Sequence, residues 1–113
     1  MDDRELLEAA ARAAGLRVKW EPVHGGLWIE PGQGIQIDPW NPLTDDGDAL
    51  RLAVKLRLQV HIQDYGTSAR PMSKLPEAWV GCESHKMGGD HAAATRLAIT
   101  RAAAQIGSEK EGR

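Results

Sequence analysis

The stretch Asn41 to Leu56, NPLTDDGDALRLAVKL, places a helix at the middle of this chain and organises what lies on either side of it. Thr44 or Asp45 suits the N-cap, where a side-chain oxygen accepts a backbone N–H of the first turn that has no partner inside the helix. Ala49, Leu52, Ala53 and Leu56 recur at the period of a core-facing stripe, Leu50 and Val54 widen it, and Arg51 and Lys55 mark the wet face. Asp45, Asp46 and Asp48 around Gly47 also resemble the oxygen-rich start of a calcium loop. The spacing fails, because Leu56 stands where the closing glutamate belongs if Asp45 is first. Capping and interaction with the helix dipole, worth about 0.3–1 kcal/mol per acid, account for the same residues.

On the N-terminal side, Leu6, Leu7, Ala10, Ala13 and Ala14 form one stripe opposite Glu5, Glu8 and Arg12, which predicts a surface helix over Asp3 to Ala14. Asp2 and Asp3 suit its positive end, Glu8 and Arg12 are spaced to pair, and Gly15 suits its C-terminal stop. The period then changes to two. Leu16, Val18 and Trp20 alternate with Arg17, Lys19 and Glu21, as in a strand with one polar face. After Pro22 to Gly26 come Leu27-Trp28-Ile29, a turn in which Pro31-Gly32 fits the central pair of type II, and an alternating Ile35 and Ile37. This predicts an antiparallel meander whose third strand stops by Pro39.

Beyond the central helix, Leu58, Val60 and Ile62 alternate with Gln59, His61 and Gln63, giving another strand with one polar face. Asp64 to Glu77 reads as a long polar connection, longer than the roughly 2 to 5 residues of common hairpin loops. Ala78-Trp79-Val80 offers a last short strand, and Gly88-Gly89 breaks the chain before Asp90 caps a third helix reaching about Ile106. Its stripe is Ile99, Ala102, Ala103 and Ile106, its alanines permit close approach, and Gly107 ends it.

With 113 residues, 42% of them apolar and 27% charged, the chain suits one folded domain over residues 1–107 and a disordered tail over 108–113. Its formal net charge of -2 lacks the strong positive footprint of a nonspecific nucleic-acid binder. The single cysteine, Cys82, fits a reducing compartment. The acidic opening has no basic-then-apolar leader pattern, and no apolar run approaches the roughly 20 residues of a membrane span, so a cytoplasmic protein is expected.

The best metal pattern is Cys82, His85 and His91, spaced C-x2-H-x5-H, with a thiolate and two imidazoles for zinc and Asp90 or His24 as the fourth group. It lacks the paired spacings of known zinc sites, and a small half-buried cysteine beside surface histidines explains the same residues. Cys82 with His85 also has the composition of a nucleophile and base, but nothing around them forms an oxyanion hole. Serines 68, 73, 84 and 108 lack a nucleophile elbow. Gly25-Gly26, Gly32 with Gly34, and Gly88-Gly89 lack the strand, lysine and helix of a phosphate cradle. No catalytic set and no cofactor site is assigned.

There is no phenylalanine and one tyrosine, so Trp20, Trp28 and Trp79, on predicted strands, are assigned to the core. Trp40, between Pro39 and Asn41, is the expected exposed tryptophan. With Arg70 and Lys74 of the polar connection it makes the candidate surface-binding set, to which Arg96 and Arg101 on the last helix could add charge, although an ordinary solvated face accounts for the same basic residues.

NPLTDDGDALRLAVKL (Asn41 to Leu56), GGDHAAATRLAITRAAAQIG (Gly88 to Gly107) and the opening MDDRELLEAAARAAGL together resemble the phage ABA sandwich domain family, small proteins encoded by phages and prophages and largely of unknown function. The resemblance implies an α/β/α sandwich and a phage or prophage origin in a bacterial host, and it carries over no catalytic or cofactor residue. Read from the residues, the chain is α+β, with three helices and a mainly antiparallel sheet of 4-5 strands in the order α-β-β-β-α-β-β-α. The expected function is that of a non-enzymatic accessory protein binding a host or phage protein. The alternatives are a zinc module or metal-dependent enzyme at Cys82, His85 and His91, and a weak nucleic-acid binder using Arg and Lys with Trp40.

Overall fold

The computed structural model describes residues 2–23, 25–30, 39–72, 80–83 and 88–111, with side chains omitted at 82, 83, 110 and 111. In chain order it forms α1 (Asp3–Ala14), β1 (Val18–Glu21), β2 (Gly26–Ile29), β3 (Pro39–Trp40), α2 (Asp46–Leu56), β4 (Leu58–Gln63), β5 (Gly66–Pro71), β6 (Val80–Glu83) and α3 (His91–Glu111). The fold is α+β and the described strand pairs are antiparallel, in two three-stranded sheets ordered β1-β2-β3 and β4-β5-β6. Two three-stranded sheets thus stand where a single sheet of four or five strands is read from the sequence. Among the described residues no helix is long and apolar enough to cross a membrane.

The additional strand is β5, which occupies the first half of the expected polar connection. GTSARP shows no apolar alternation because its partner asks for small side chains: Gly66, Thr67 and Ala69 are buried, and Ala69 clusters with Ala98 and Ala102 of α3. Thr67 is kept polar by a hydroxyl contact of 2.8 Å with Thr95. Since the Thr95 hydroxyl donates to His91 O at 2.8 Å, Thr67 is the donor in this pair. The β4–β5 hairpin turns tightly through Asp64 and Tyr65, with Gln63 opposite Gly66.

Both sheets have one face toward the helices. In the first, Trp20, Leu27 and Trp40 are in register across the three strands, with Val18 opposite Ile29, and all pack into the main core. Lys19, Trp28 and Pro39 form the adjacent row on the other face. Trp28 is therefore half-buried on the outer face, whereas the sequence places it in the core. Trp40 is the reverse case: only 4% exposed, it is a core residue and not the exposed tryptophan. β3 thus includes Trp40, one residue beyond the expected stop at Pro39, and its pairing with Leu27 turns the indole inward. Expectations for residues 31–38, 73–79 and 84–87, including the 31–32 turn, Lys74, Trp79 and His85, lie outside the described residues, as does His24.

α1 begins at Asp2, whose carboxylate accepts the Glu5 N–H at 2.8 Å, and ends at Gly15, where φ 74 suits glycine and the amide returns to Ala11 O and Arg12 O. It is more deeply placed than a surface helix. Beyond the expected stripe, Ala9 and Ala11 are also buried, because the core lies against one side and α3 against another. Glu8 pairs with Arg4 at 3.5 Å, and the Arg4 guanidinium lies 4.8 Å from the centre of the Trp20 ring.

α3 is the element shared by the whole fold. Asp90 caps it as read, accepting Ala93 N–H at 2.9 Å. Ala98 and Ala102 face the second sheet while Ile99 and Ala103 enter the main core, and Leu58 and Val60 of β4 pack into both clusters. Fully buried Thr100 satisfies its hydroxyl on Arg96 O at 2.8 Å. Gly107 does not end the helix, which continues through residues 108–111 of the expected tail. The absence of a side chain at Gly107 serves contact with α1, whose Ala9 carbonyl occupies the space a Cβ would need.

α2 ends less comfortably. Its C-cap, Arg57, is left-handed at φ 54, and its amide reaches Ala53 O and Val54 O. This conformation costs a non-glycine residue about 1–2 kcal/mol, more than the roughly 0.5–1 kcal/mol entropic penalty of glycine. Arg57→Gly is accordingly expected to raise stability by about 0.5 kcal/mol, read as a higher urea midpoint at unchanged slope.

Candidate functional site

Each aspartate of the central block has its own structural partner. Asp45 is the N-cap, accepting Asp48 N–H at 2.8 Å. Asp46 receives Arg96 Nη1 at 2.6 Å. Asp48, with its side chain 12% exposed, accepts Asn41 N–H at 2.9 Å and Arg51 Nη2 at 2.8 Å. The Arg96 Nε also donates to Leu43 O at 2.9 Å, so this arginine straps α3 to the entry of α2. Its side chain is 17% exposed and serves as an internal tie, where the sequence reads it as part of a solvated basic face. Asp48→Ala removes the carboxylate from two donors and is expected to cost about 2 kcal/mol by chemical denaturation, with Asp48→Asn intermediate because it keeps one acceptor for Asn41.

The other candidate residues are dispersed. His91 is exposed at the first position of α3, and Cys82 pairs through its backbone with Thr67, while His85 lies outside the described residues. Among the described residues no group of three or more His, Cys, Asp or Glu side chains is placed to hold a metal. Arg70 is half-buried on β5 opposite Gln59, in a strand where the sequence reads a loop. Arg101 donates to Gly81 O at 3.2 Å, Ser68 is half-buried on β5 opposite His61, and Ser108 is exposed on α3. Gly25, Gly88 and Gly89 take positive φ values of 67, 67 and 83, as turns require.

The surface feature that stands out lies where α2, the end of β4 and the start of α3 meet. Leu50 and Val54, one turn apart on α2, are 64% and 68% exposed, and Ile62 on β4 is 64% exposed. Leu50 and Ile62 face one another across a groove of about 330 Å³ whose lining also includes Ala49, Ala92, Thr95 and Ile99. Ile62 shares the face of Leu58 and Val60, but Ala92 and Thr95 at this end of α3 are too short to cover it. Leu50 and Val54 thus point away from the core that the sequence assigns them. Their signal was present: apolar positions 49, 50, 52, 53, 54 and 56 span roughly 200° of a helix, wider than one covered stripe.

A larger cleft of about 810 Å³ opens on the other side of α2. Leu16, Ile29, Trp40 and Leu52 form its floor, with Arg51 and Lys55 at the rim. The chain linking Ile29 to Pro39, both in this lining, runs through residues outside the description, and no ligand is assigned there.

No family model, no curated protein and no solved structure matches this chain. The class that fold and surface define is an α+β domain with an apolar groove beside its central helix.

Proposed function

We propose that this chain is a non-enzymatic binding protein of phage or prophage origin that engages another protein through the α2–β4–α3 groove. The origin rests on the resemblance of the 41–56, 88–107 and opening segments to phage ABA sandwich proteins. The binding role rests on one observation: Leu50 and Ile62, each 64% exposed, line a shared groove, and Val54, 68% exposed, lies one turn beyond Leu50 on α2. Scattered exposed apolar side chains are ordinary, but adjacent large ones around a concavity mark a surface that gains from being covered. Burying each contributes about 1.5–3 kcal/mol, and leaving each in water gives nothing back to the fold.

The groove is poor in free chemistry. Asp46 and Arg96 in its lining are held by one another, which leaves His91 and Thr95 among mainly apolar neighbours, and Thr95 is itself bonded to Thr67 and His91 O. Such a lining favours docking of an apolar side chain over bond making.

The Leu50→Glu/Val54→Glu double variant is expected to retain stability to within about 0.5 kcal/mol, since both side chains are already in water. It is also expected to lose a partner cross-linked in host cells by the parent protein at least tenfold, the loss of two apolar anchors being worth more than 1.4 kcal/mol. Retention of that partner at parental affinity would remove the groove from the function.

A further inference from the structure

We propose that the protein seated on this surface is a second copy of the chain, in a two-fold pair with the α2 helices antiparallel. This rests on the reading of the groove as a protein-docking surface. At about 100° per residue, Asp46, Leu50 and Val54 fall within roughly 80° of arc and all three are exposed, and the exposed Arg57 follows as the C-cap at the far end of the helix. They form a stripe distinct from the core face of Ala49 and Leu52 and from the charged face of Asp48, Arg51 and Lys55.

The stripe reads acid, apolar, apolar along the helix, with a base at its C-cap. A two-fold axis beside its midpoint sets Asp46 of one copy against Arg57 of the other and Leu50 against Val54, twice over. A parallel arrangement would oppose like charges and like helix ends, whereas the antiparallel one opposes unlike charges and unlike dipole ends. Asp46 can serve both roles, because Arg96 engages its Oδ1 while the side chain remains 79% exposed. On the neighbouring face Arg51 does not compete for this register, since it is held by Asp48 at 2.8 Å and Asp45 at 3.8 Å. Ile62 beside Leu50 extends the apolar strip onto β4. The stripe is short, so the pair falls at the small end of the range of specific interfaces and forms only at high concentration.

Sedimentation equilibrium on the full chain tests this. The mass is expected to rise from 12.3 kDa toward twice that value with concentration. Leu50→Glu/Val54→Glu should abolish the rise, and Asp46→Lys and Arg57→Glu should each weaken association about tenfold or more by setting like charges together. The Asp46→Lys/Arg57→Glu combination should recover it, a reciprocity that a loss of folding does not imitate. Circular dichroism melts accompany each variant, and the Leu50/Val54 pair decides the matter if Asp46→Lys unfolds through loss of Arg96.

A parent protein that stays at 12.3 kDa throughout, or a dimer that survives Leu50→Glu/Val54→Glu, overturns the proposal. If the parent is monomeric and the same double variant loses a different cross-linked protein, self-association fails and the groove still docks a partner. If the double variant changes neither measurement, both readings fail.

Discussion

Gly107→Ala is expected to destabilise this protein by about 3 kcal/mol despite replacing a glycine inside a helix. The helical preference of alanine alone would favour it by roughly 1 kcal/mol. Packing opposes that gain. A Cβ at position 107 would fall on the carbonyl oxygen of Ala9, 2.7 Å from its carbon and 3.3 Å from the Ala13 nitrogen, all backbone atoms of α1. No rotamer change relieves a clash with backbone, so the two helices must separate, and the alanines buried along both lose close contact. Chemical denaturation should give the loss directly. Ala9→Gly should not rescue it, because the obstruction is the Ala9 carbonyl and not its methyl group. A Gly107→Ala variant as stable as the parent would mean that α1 and α3 do not approach as described.

Trp40→Ala is expected to cost about 3–5 kcal/mol, the range for emptying a buried aromatic site. The side chain is 4% exposed and belongs to the core cluster with Leu27, Ile29, Leu52 and Ala14. Among the described residues β3 is Pro39 and Trp40, and of the two the indole is the side chain packed into the core. The competing expectation is sharply different: removal of a solvated tryptophan should change stability by less than about 0.5 kcal/mol. Trp40→Phe should lose less than Trp40→Ala because it keeps an aromatic filler. Urea titration with tryptophan fluorescence and far-ultraviolet dichroism as parallel probes separates these outcomes.

The elements most legible in the sequence are those whose signals are local. Asp2, Asp45 and Asp90 each cap the helix that follows, because capping involves a side chain and amides three residues away. The alternation of Leu16 to Glu21 and Leu58 to Gln63 marks two strands, found as Val18–Glu21 and Leu58–Gln63. The misreadings involve partners far along the chain. GTSARP looks like a loop because the requirement for small residues comes from α3, and Gly107 looks like a helix stop because its reason is the backbone of α1. Trp40 looks exposed between its polar and proline neighbours, yet its pairing with Leu27 determines where it points.

The candidate site is less legible than the fold for the same reason. Leu50 and Val54 fit a helix that buries a broad apolar arc, and the sequence does not show which edge of that arc the neighbouring elements fail to reach. The aspartates that attract attention prove to be tied to Asn41, Arg51 and Arg96. The surface chosen for docking is therefore made of residues that look like ordinary core when read one at a time.

The seating of Gly107 on Ala9 also has a consequence for synthesis. α1 leaves the ribosome first of the described elements, but the alanines on the side that α3 covers have no cover until the last one follows. Neither sheet can be closed off earlier, since α3 also supplies Ala98, Ile99, Ala102 and Ala103 to the two core clusters. The nascent chain should consequently resist early compaction and fold in one late, cooperative step, with protease sensitivity persisting until α3 has emerged.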